Sequence, residues 1–389
     1  MSRNLPIGSA PVPDVLLIGD TLRLPELRHE VPVDIGDPFL YAEVGGRRTA
    51  IVWSVEGDRV AQRDPTIELV AAETFPLDEL LADGLDAYEV FPALFSQMVA
   101  SLGIERAVVP DRFPLGIGDR LRADGIELVV DQRFFDDRRR RKSDFELAGI
   151  RVAQKAAEAG MAAIAALLAR SEPADGGRIV GGEPLTCELL RAAAADAFAA
   201  LGCRGDDMIV AHGAQAADGH EQGHGRIEND DTVLCDLFPQ HFESACFADM
   251  TRTFRLGAAD PTLTEWHAQS VAALELAIAM VRPGIEGGAI HKAVCSFFEE
   301  RGHMTQLNRS RGKVQEEGFN HGLGHGVGLD VHEAPGVSRV SHELVVGDVI
   351  ALEPGLYRRG WGGVRVEDLV LVTDDGCEVL TDFPYGLAP

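Results

Sequence analysis

Residues 319–335 read FNHGLGHGVGLDVHEAP, and this stretch carries the strongest local signal in the chain. It holds three of the twelve histidines, His321, His325 and His332, and a glycine at every second position over 322–328. So many glycines argue against a helix and for a backbone that lies close to a ligand. In an extended strand His321 and His325 would face one side, because their separation is even, whereas His332 would need a bend to join them.

This stretch has two other interpretations. A phosphate-binding loop of the form G-x-G-x-x-G is not matched, because Val327 and Leu329 stand where the third glycine should be. A glycine-rich turn with incidental histidines is the second interpretation, and the segment alone leaves it open.

A pair of aspartates in two β-rich runs gives the second signal. Thr232–Phe238 and Ala245–Phe254 are predicted strands. A hairpin that turns at 242–243 would place Asp236 opposite Asp249, with Cβ atoms about 4.5–5.5 Å apart on one face. Two carboxylates at that distance repel each other, so that one binds a proton or a cation lies between them. The alternative is a pair of exposed aspartates near a turn.

Two glutamates lie in apolar, strand-like surroundings. Glu353 belongs to LEPGLY (352–357) and Glu367 to VRVED (364–368). An isolated buried glutamate is costly unless it is paired or bound to a metal. The alternative for each residue is a glutamate on an edge strand that faces water.

The four acidic residues and one histidine together indicate a metal centre. Four carboxylates and one imidazole suit Mn²⁺, Co²⁺ or Zn²⁺. Four carboxylates carry four negative charges, which two divalent ions would neutralise, and two such ions need bridging carboxylates. Since the set contains no cysteine, a structural zinc–thiolate site is not indicated.

The composition excludes several classes of function. The 389 residues include 36 Lys and Arg against 62 Asp and Glu, a net charge of −26. This charge argues against a nucleic-acid partner and against binding to an anionic membrane surface. The six cysteines form no C-x-x-C pair, as expected of reduced thiols in the cytoplasm.

Targeting signals are also not predicted. The first twenty residues have no basic region followed by a long apolar segment, so we expect no signal peptide. No apolar run reaches 18 residues, so we expect no membrane span. The predicted location is the cytoplasm.

Two domains are predicted, 1–137 and 138–389. The first alternates strand and helix signals, with DVLLIG at 14–19 as a buried strand and a hairpin at Gly45-Gly46. The charge run DDRRRR, residues 136–141, is predicted to be a solvated linker.

Four helices are predicted in the second domain. Ser143 and Glu146 form a capping box that should begin a long helix reaching about Arg170. The others are expected over 186–201, from a second capping box at 262–265 to just before Pro283, and over 288–301. Each helix pair precedes a β-rich, glycine-rich segment, which predicts two copies of a helix–helix–sheet unit.

Four motifs in this order, DMTRTF, NHGLGHGVGLDVHEAP, LEPGLY and VRVED, resemble those of the metallopeptidases of the pita-bread fold. That family includes prolidases, aminopeptidases P and methionine aminopeptidases, and the resemblance covers about 138–389. The resemblance implies an α+β fold, with a pita-bread catalytic domain after a smaller N-terminal α/β domain. Such an N-terminal domain is similar to that of the prolidase, aminopeptidase P and creatinase branch.

The resemblance also implies a role for each metal ligand. Asp236 would hold one ion alone, His325 and Glu353 would hold the other, and Asp249 and Glu367 would bridge the two. A hydroxide between the ions would attack the scissile carbonyl. Glu353 would also act in catalysis by moving the proton of this hydroxide.

Four further residues match substrate-contacting positions of the family. His220 and His332 would bind the peptide and stabilise the oxyanion as catalytic residues, and His321 would line the proline pocket. Arg365 would meet the carboxylate of a dipeptide; the alternative is that it pairs with Asp236. A further histidine, His224, leaves the alignment of His220 open.

The chain departs from the family in one hairpin. The family usually spaces its two aspartates eleven residues apart with a glycine two after the first, whereas Asp236 and Asp249 are thirteen apart and Phe238 stands in place of the glycine. The tyrosine common in this stretch of prolidases is also absent. Because the insertion is even, both carboxylates should still share a face.

The expected function is hydrolysis of the peptide bond before proline in Xaa-Pro dipeptides by two divalent ions, with Mn²⁺ preferred to Co²⁺ or Zn²⁺. Aminopeptidase P activity on longer peptides is the alternative. A binding protein without catalysis and a metal-free creatinase-like hydrolase are less favoured, because all five ligands are present. The resemblance also implies a homodimer; neither a nucleic acid nor a membrane is expected as a partner.

Overall fold

A computed structural model describes residues 13–258 and 260–389 of the chain. Contacts divide the chain into two compact units after Arg139. We propose that these units are the two domains. The first twenty residues, on which the expectation of no signal peptide depends, include 1–12, which lie outside the described residues.

The N-terminal unit contains a six-stranded mixed sheet in the order β4-β3-β2-β1-β5-β6. Its strands are β1 (Val15–Gly19), β2 (Phe39–Val44), β3 (Arg47–Val52), β4 (Glu68–Ala71), β5 (Arg106–Val109) and β6 (Glu127–Val130). Its helices are α1 (Pro25–Glu30), α2 (Ser54–Arg63), α3 (Leu77–Ala82), α4 (Val90–Ser101), α5 (Leu115–Ala123) and α6 (Gln132–Arg139).

Two sequence predictions for this unit are confirmed. Strand β1 is buried on both faces, because Val15 and Leu17 belong to one apolar cluster and Leu16 and Ile18 to another. Strands β2 and β3 pair antiparallel around Gly45-Gly46, whose φ angles of 56° and 81° suit a two-residue hairpin turn.

The C-terminal unit contains four long helices, and three of the four predicted starts are confirmed. The helices are α7 (Asp144–Arg170), α8 (Cys187–Ala200), α9 (Pro261–Met280) and α10 (Gly287–Glu299). The capping box of Ser143 and Glu146 begins α7 as predicted. The box predicted at Thr262 is wrong: Asp260 caps α9 instead, because Asp is a strong N-cap and Pro261 favours the first helical position.

Sixteen short strands complete this unit within the described residues. They are β7 (Glu172–Ala174), β8 (Gly177–Val180), β9 (Glu183–Pro184), β10 (Cys203–Arg204), β11 (Ile209–His212), β12 (Asp231–Leu237), β13 (Gln240–His241), β14 (Met250–Leu256), β15 (Glu317–Gly318), β16 (Gly324–Gly326), β17 (Glu333–Val337), β18 (Val349–Leu352), β19 (Gly355–Arg358), β20 (Gly362–Arg365), β21 (Asp368–Val372) and β22 (Cys377–Val379). Three of the sheets, β11-β12-β14, β15-β19-β20 and β17-β16-β18-β21-β22, carry the candidate site.

The two helix pairs of this unit pack against opposite faces of its five-stranded sheet, β17-β16-β18-β21-β22. Val349 and Ala351 of β18 join the apolar cluster that contains α7 and α8. Ile350 and Leu352 of the same strand join the cluster that contains α9 and α10. Because side chains alternate along a strand, one short strand serves both cores.

The charge run over 136–141 is not the solvated linker that its composition predicted. Residues 132–139 form α6, and the side chains of Arg139 and Arg140 are buried. Arg139 pairs with Glu26 at 3.2 Å, and Arg140 donates two hydrogen bonds to Asp348, at 2.8 and 2.7 Å. Buried arginines of this kind are stable only when paired, and the distant carboxylates cannot be identified from the local sequence.

Helix α7 is long and apolar enough to span a membrane by length and composition alone. Its buried residues, among them Ile150, Ala157 and Ile164, instead form part of an apolar core. The opposite face carries the exposed Arg151 and Lys155, which pair with Glu378 and Glu158. These features are those of a core helix.

The contact between α7 and α8 gives a testable prediction. A Cβ at Gly160 would lie 2.4 Å from the Phe198 ring. Helix propensity alone predicts that Gly160→Ala stabilises by about 1 kcal/mol, but we expect overpacking to dominate and destabilise by about 1–3 kcal/mol. Urea unfolding would measure the sign, and Phe198→Leu in the same background should recover part of the loss. A Gly160→Ala protein more stable than wild type would contradict this packing.

Candidate metal centre

The hairpin of β12 and β14 brings both aspartates to one face, but in a register different from the predicted one. Asp236 pairs with Thr251 and not with Asp249. The hairpin closes around four residues, 242–245, where His241 N–H donates to the Cys246 carbonyl at 2.8 Å. This turn moves the register by two residues, so that Asp249 becomes the diagonal neighbour of Asp236. The prediction of a shared face is confirmed, because the shift is even.

The remaining acidic residues and His325 come from neighbouring strands. His325 lies in β16 and pairs with Ala351 of β18, and Glu353 directly follows β18. Glu367 lies between β20 and β21, and its N–H donates to the Thr251 carbonyl at 3.1 Å. Two sheets therefore meet at the carboxylates.

These side chains approach one another closely. His325 Nε2 lies 3.7 Å from Asp249 Oδ2 and 3.8 Å from Glu353 Oε1. Ligand atoms of Asp249, His325 and Glu367 all lie within 4.8 Å of one another, which is close enough for one ion to contact all three.

The tautomer of His325 suits a metal ligand. Its Nδ1–H donates to the Gly326 carbonyl at 3.1 Å, which leaves a lone pair on Nε2. Burial, together with the neighbouring charge of His332, lowers the pKa of His325 to about 3. A neutral ring thus directs a lone pair at carboxylate oxygens, an arrangement that a cation between them would stabilise.

If all the carboxyl groups of the site were ionised, their negative charges would strongly destabilise one another in this buried position. Burial, followed by repulsion from the other carboxylates, raises the pKa values of Asp249 and Glu353 well above the ordinary range. Burial and the charge of Asp236 raise the pKa of Glu367 to about 8. Oδ1 of Asp236 and Oδ1 of Asp249 are buried without a hydrogen-bond partner among the described residues. The residues therefore fit divalent cations. The positive charge of such ions would offset the carboxylate charge, and their empty coordination positions would accept the two aspartate oxygens that have no hydrogen-bond partner among the described residues.

All three guanidinium nitrogens of Arg365 donate a hydrogen bond to the protein. Its Nη2 donates to Asp236 Oδ2 at 2.5 Å, Nε donates to the Thr251 hydroxyl at 3.1 Å, and Nη1 donates to the Tyr357 hydroxyl at 3.3 Å. The side chain is 4% exposed. Of the two interpretations of Arg365, these contacts favour the partner of Asp236 over the reader of a substrate carboxylate.

Thr251 and Tyr357 are site residues that the sequence reasoning missed. The Thr251 hydroxyl donates to Glu367 Oε2 at 2.6 Å, and Tyr357 Oη lies 2.9 Å from His321 Nε2. Both belong to motifs already singled out, DMTRTF and LEPGLY. Thr251 could have been found if the register had been known, since it lies opposite Asp236.

His321 repeats the arrangement of His325. Its Nδ1 lies 2.7 Å from the Gly322 carbonyl, and burial lowers its pKa to about 3. Since a neutral ring has one N–H, Nδ1–H donates to Gly322 and Nε2 accepts from Tyr357. Both nitrogens are occupied, so His321 can offer a ligand only its ring.

The five candidate ligands line a cavity of about 590 Å³, together with His220, His321, His332 and Arg365. The ring of His332 stands edge-on to His325, with centroids 4.1 Å apart. His220 lies at the cavity, whereas His224 is 3.5 Å from Glu221 and does not line it. Phe238 lines the same wall, where the related family usually has a glycine two residues after the aspartate.

Comparison with known proteins gives consistent results. Residues 148–374 match the model of metallopeptidase family M24. The chain is 36% identical over 179 residues to a Xaa-Pro dipeptidase of Pyrococcus horikoshii, which covers 45% of this chain and 46% of that protein. It is 33% identical over 183 residues to YqhT of Bacillus subtilis, described as an uncharacterized peptidase, covering 46% and 48%. The match thus spans about half the length of these curated relatives.

Solved structures share the fold over nearly the whole chain. An X-Pro aminopeptidase of Thermotoga maritima has a TM-score of 0.76 at 21% identity, covering 96% of this chain and 97% of that chain. The prolidase of Pyrococcus horikoshii has a TM-score of 0.74 at 23% identity, covering 97% and 95%. At these identities the likeness establishes the fold alone.

The raised carboxyl pKa values predict how the stability of the metal-free protein depends on pH. A carboxyl with a folded pKa above its unfolded value, about 4.3, stabilises the fold below that value and loses this contribution as the pH rises toward the folded pKa. For Glu367 the folded pKa is about 8. We therefore expect the Tm in chelator to fall between pH 7 and 8.5, a range above the ordinary pKa of histidine, where unfolded histidines are mostly neutral and the buried histidines oppose the fall only weakly.

The matched variants of this experiment are Glu367→Gln and Glu300→Gln, the latter at an exposed position. Glu367→Gln should show a shallower fall in Tm, whereas Glu300→Gln should keep the wild-type slope. A Tm that rises over this range, or an unchanged slope in Glu367→Gln, would contradict the assigned charge state.

Proposed function

Because the chain belongs to metallopeptidase family M24, we propose that it hydrolyses the peptide bond before proline, with Xaa-Pro dipeptides as the first substrate class. The matched region, 148–374, includes all five candidate ligands. The relative from Pyrococcus horikoshii that carries the name Xaa-Pro dipeptidase supports the same class. Retention of every ligand argues against a binding protein without catalysis and against a metal-free hydrolase.

The five candidate ligands would hold two divalent ions, for which Mn²⁺ is our first proposal. These ligands are Asp236, Asp249, His325, Glu353 and Glu367. Such ions, when bound, polarise a carbonyl and lower the pKa of water. The observation that carries the proposal is the buried cluster itself, in which two carboxylate oxygens have no partner among the described residues and a histidine lone pair faces acidic groups.

Glu353 is suited to move a proton. Its carboxyl lies between two neutral imidazoles, with Oε2 3.7 Å from His321 Nδ1 and Oε1 3.8 Å from His325 Nε2. Burial holds its pKa well above the ordinary value, so this carboxyl can carry a proton at neutral pH. We propose that Glu353 is ionised when the ions are bound, that it then takes a proton from the attacking water to become a neutral carboxyl, and that it is ionised again when it delivers this proton to the leaving proline nitrogen.

His332 and His220 would stabilise the charge that develops on the carbonyl oxygen. Both line the cavity, and burial lowers the pKa of His332, so that its ring is neutral and keeps one N–H to donate. A donor aimed at the developing oxyanion can contribute about 3 kcal/mol to catalysis.

The walls of the cavity suit a proline ring. Ile209, Phe238 and Val331 present apolar surface, and His321 offers only its ring because both nitrogens are occupied. The nitrogen of an Xaa-Pro bond has no hydrogen, so the site needs no acceptor for it.

Aminopeptidase P activity is the second candidate, and one observation favours it. The guanidinium of Arg365 donates to Asp236, Thr251 and Tyr357, and these contacts weaken the argument that it would bind the free carboxylate of a dipeptide. The dipeptidase remains the first proposal because of the named relative. A homodimer in the cytoplasm completes the proposal and rests on family resemblance.

Purified protein with added Mn²⁺ should hydrolyse Leu-Pro, and chelation should abolish the activity. Leu-Pro-Gly, assayed in parallel, distinguishes the candidates, because its cleavage in preference to Leu-Pro would replace the dipeptidase by aminopeptidase P. If neither peptide were cleaved, the proposed function would be wrong.

Glu367→Ala should lose Mn²⁺ and peptidase activity together, since it removes a carboxylate from the centre of the cluster. Elemental analysis after dialysis and the Leu-Pro assay would measure both, with Glu300→Ala as the surface control. Normal hydrolysis by Glu367→Ala would show that the site is assigned to the wrong residues.

A further inference from the structure

A buried ion pair lies against the loop that ends at His332. Lys142 Nζ contacts Glu333 Oε1 across 191 residues of sequence. The two side chains are only 3% and 4% exposed. Glu333 directly follows His332, so the pair anchors the chain at the next residue.

The pair packs tightly against the backbone of this loop, residues 327–332. A Cβ at Gly328 would lie 2.5 Å from Glu333 Oε1 and 2.9 Å from Lys142 Cε. The second oxygen of Glu333 accepts the N–H of Asp330 at 3.4 Å. One carboxylate therefore fixes the middle of the loop and its end.

The same loop is joined to the neighbours of two candidate ligands. The N–H of Phe247, two residues before Asp249, donates to the Gly328 carbonyl at 2.7 Å. Gly326, next to His325, pairs with Glu333 in the β16–β17 register. A displacement of Glu333 would therefore also move the backbone beside Asp249 and His325 at the cavity wall.

The ring of His332 depends on this backbone for its position. It is exposed to the cavity and makes no hydrogen bond to any residue that the structure describes. Among the residues that the structure describes, its one close ring contact is the edge-on approach to His325 at 4.1 Å. Since little holds the ring itself, its location follows from where the loop is held.

Stability is a poor explanation for such a pair. Burying two charges is costly, and replacing both partners by apolar residues of similar volume is often neutral or stabilising. What the charged pair adds is a short, directional contact at one fixed place in the loop.

We propose that Lys142 and Glu333 are positioning residues, which hold His332 where it can donate to the carbonyl oxygen of the substrate. The inference rests on the proposed function of His332. It predicts that loss of the pair lowers kcat through His332, while the metal ligands and the fold persist.

The test is a double variant, Lys142→Met/Glu333→Leu, which removes both charges of the pair together. We expect wild-type Mn²⁺ content and a Tm near that of wild type. For Leu-Pro, kcat should fall about 10- to 100-fold while KM changes less than about threefold, because a misplaced donor acts in the transition state. The matched control is Arg139→Met/Glu26→Leu, which removes a pair of similar burial from the N-terminal unit and should leave kcat unchanged.

A double-mutant cycle separates positioning from general damage. In the His332→Ala background, removal of the Lys142–Glu333 pair should cost less than about twofold in kcat, because the group it positions is gone. Losses that multiply would overturn the proposal, as would a wild-type kcat in the double variant.

A readout that does not use activity keeps the test valid if neither peptide is cleaved. Backbone hydrogen exchange of the metal-free protein, followed by mass spectrometry, should speed up at least tenfold in peptides that cover 327–333. The control variant should exchange there at the wild-type rate. Unchanged exchange in Lys142→Met/Glu333→Leu would show that the pair does not hold the loop, whatever the enzyme cleaves.

Discussion

The structure depends on one electrostatic constraint, which is that four carboxyl groups share a buried cavity with a histidine lone pair. In such surroundings the four groups cannot all be ionised without compensation. Protons compensate in the metal-free protein, as the raised pKa values of Asp249, Glu353 and Glu367 indicate. Divalent cations would compensate in the metal-bound state that we propose, and they would also bind the two aspartate oxygens that have no partner among the described residues. Metal binding and proton binding are thus alternatives at one site.

The surrounding residues make this cluster compatible with folding. Arg365 offsets part of the charge by pairing with Asp236, and Thr251 joins Arg365 to Glu367 through one hydroxyl. Arg252, almost fully buried, donates to the Glu367 carbonyl at 2.8 Å and to Asp368 at 2.9 Å. These contacts fix where the strands β14, β20 and β21 meet. They thereby restrict the positions that the acidic side chains can take.

Much of the fold followed from local sequence, and the failures have a common cause. The capping box at Ser143, the Gly45-Gly46 hairpin and the shared face of Asp236 and Asp249 depend on neighbours in sequence or on strand periodicity. The hairpin register was wrong because it depends on the length of the turn, which parity does not reveal. The burial of Arg140 and the roles of Thr251 and Tyr357 depend on partners 36 to 208 residues away, and no local sequence pattern predicts such contacts.

The most direct test of the account is to count the protons released when Mn²⁺ binds. Metal-free protein at pH 7, in weakly buffered solution, would be titrated with MnCl₂ while the pH is held constant with base. Binding should release at least one proton per chain, because the ions displace protons held by the buried carboxyl groups, and Glu367→Gln should release fewer. Binding of Mn²⁺ without proton release, or no binding at all, would contradict the claim that this cluster is a metal centre whose carboxylates are neutralised by protons when no metal is bound.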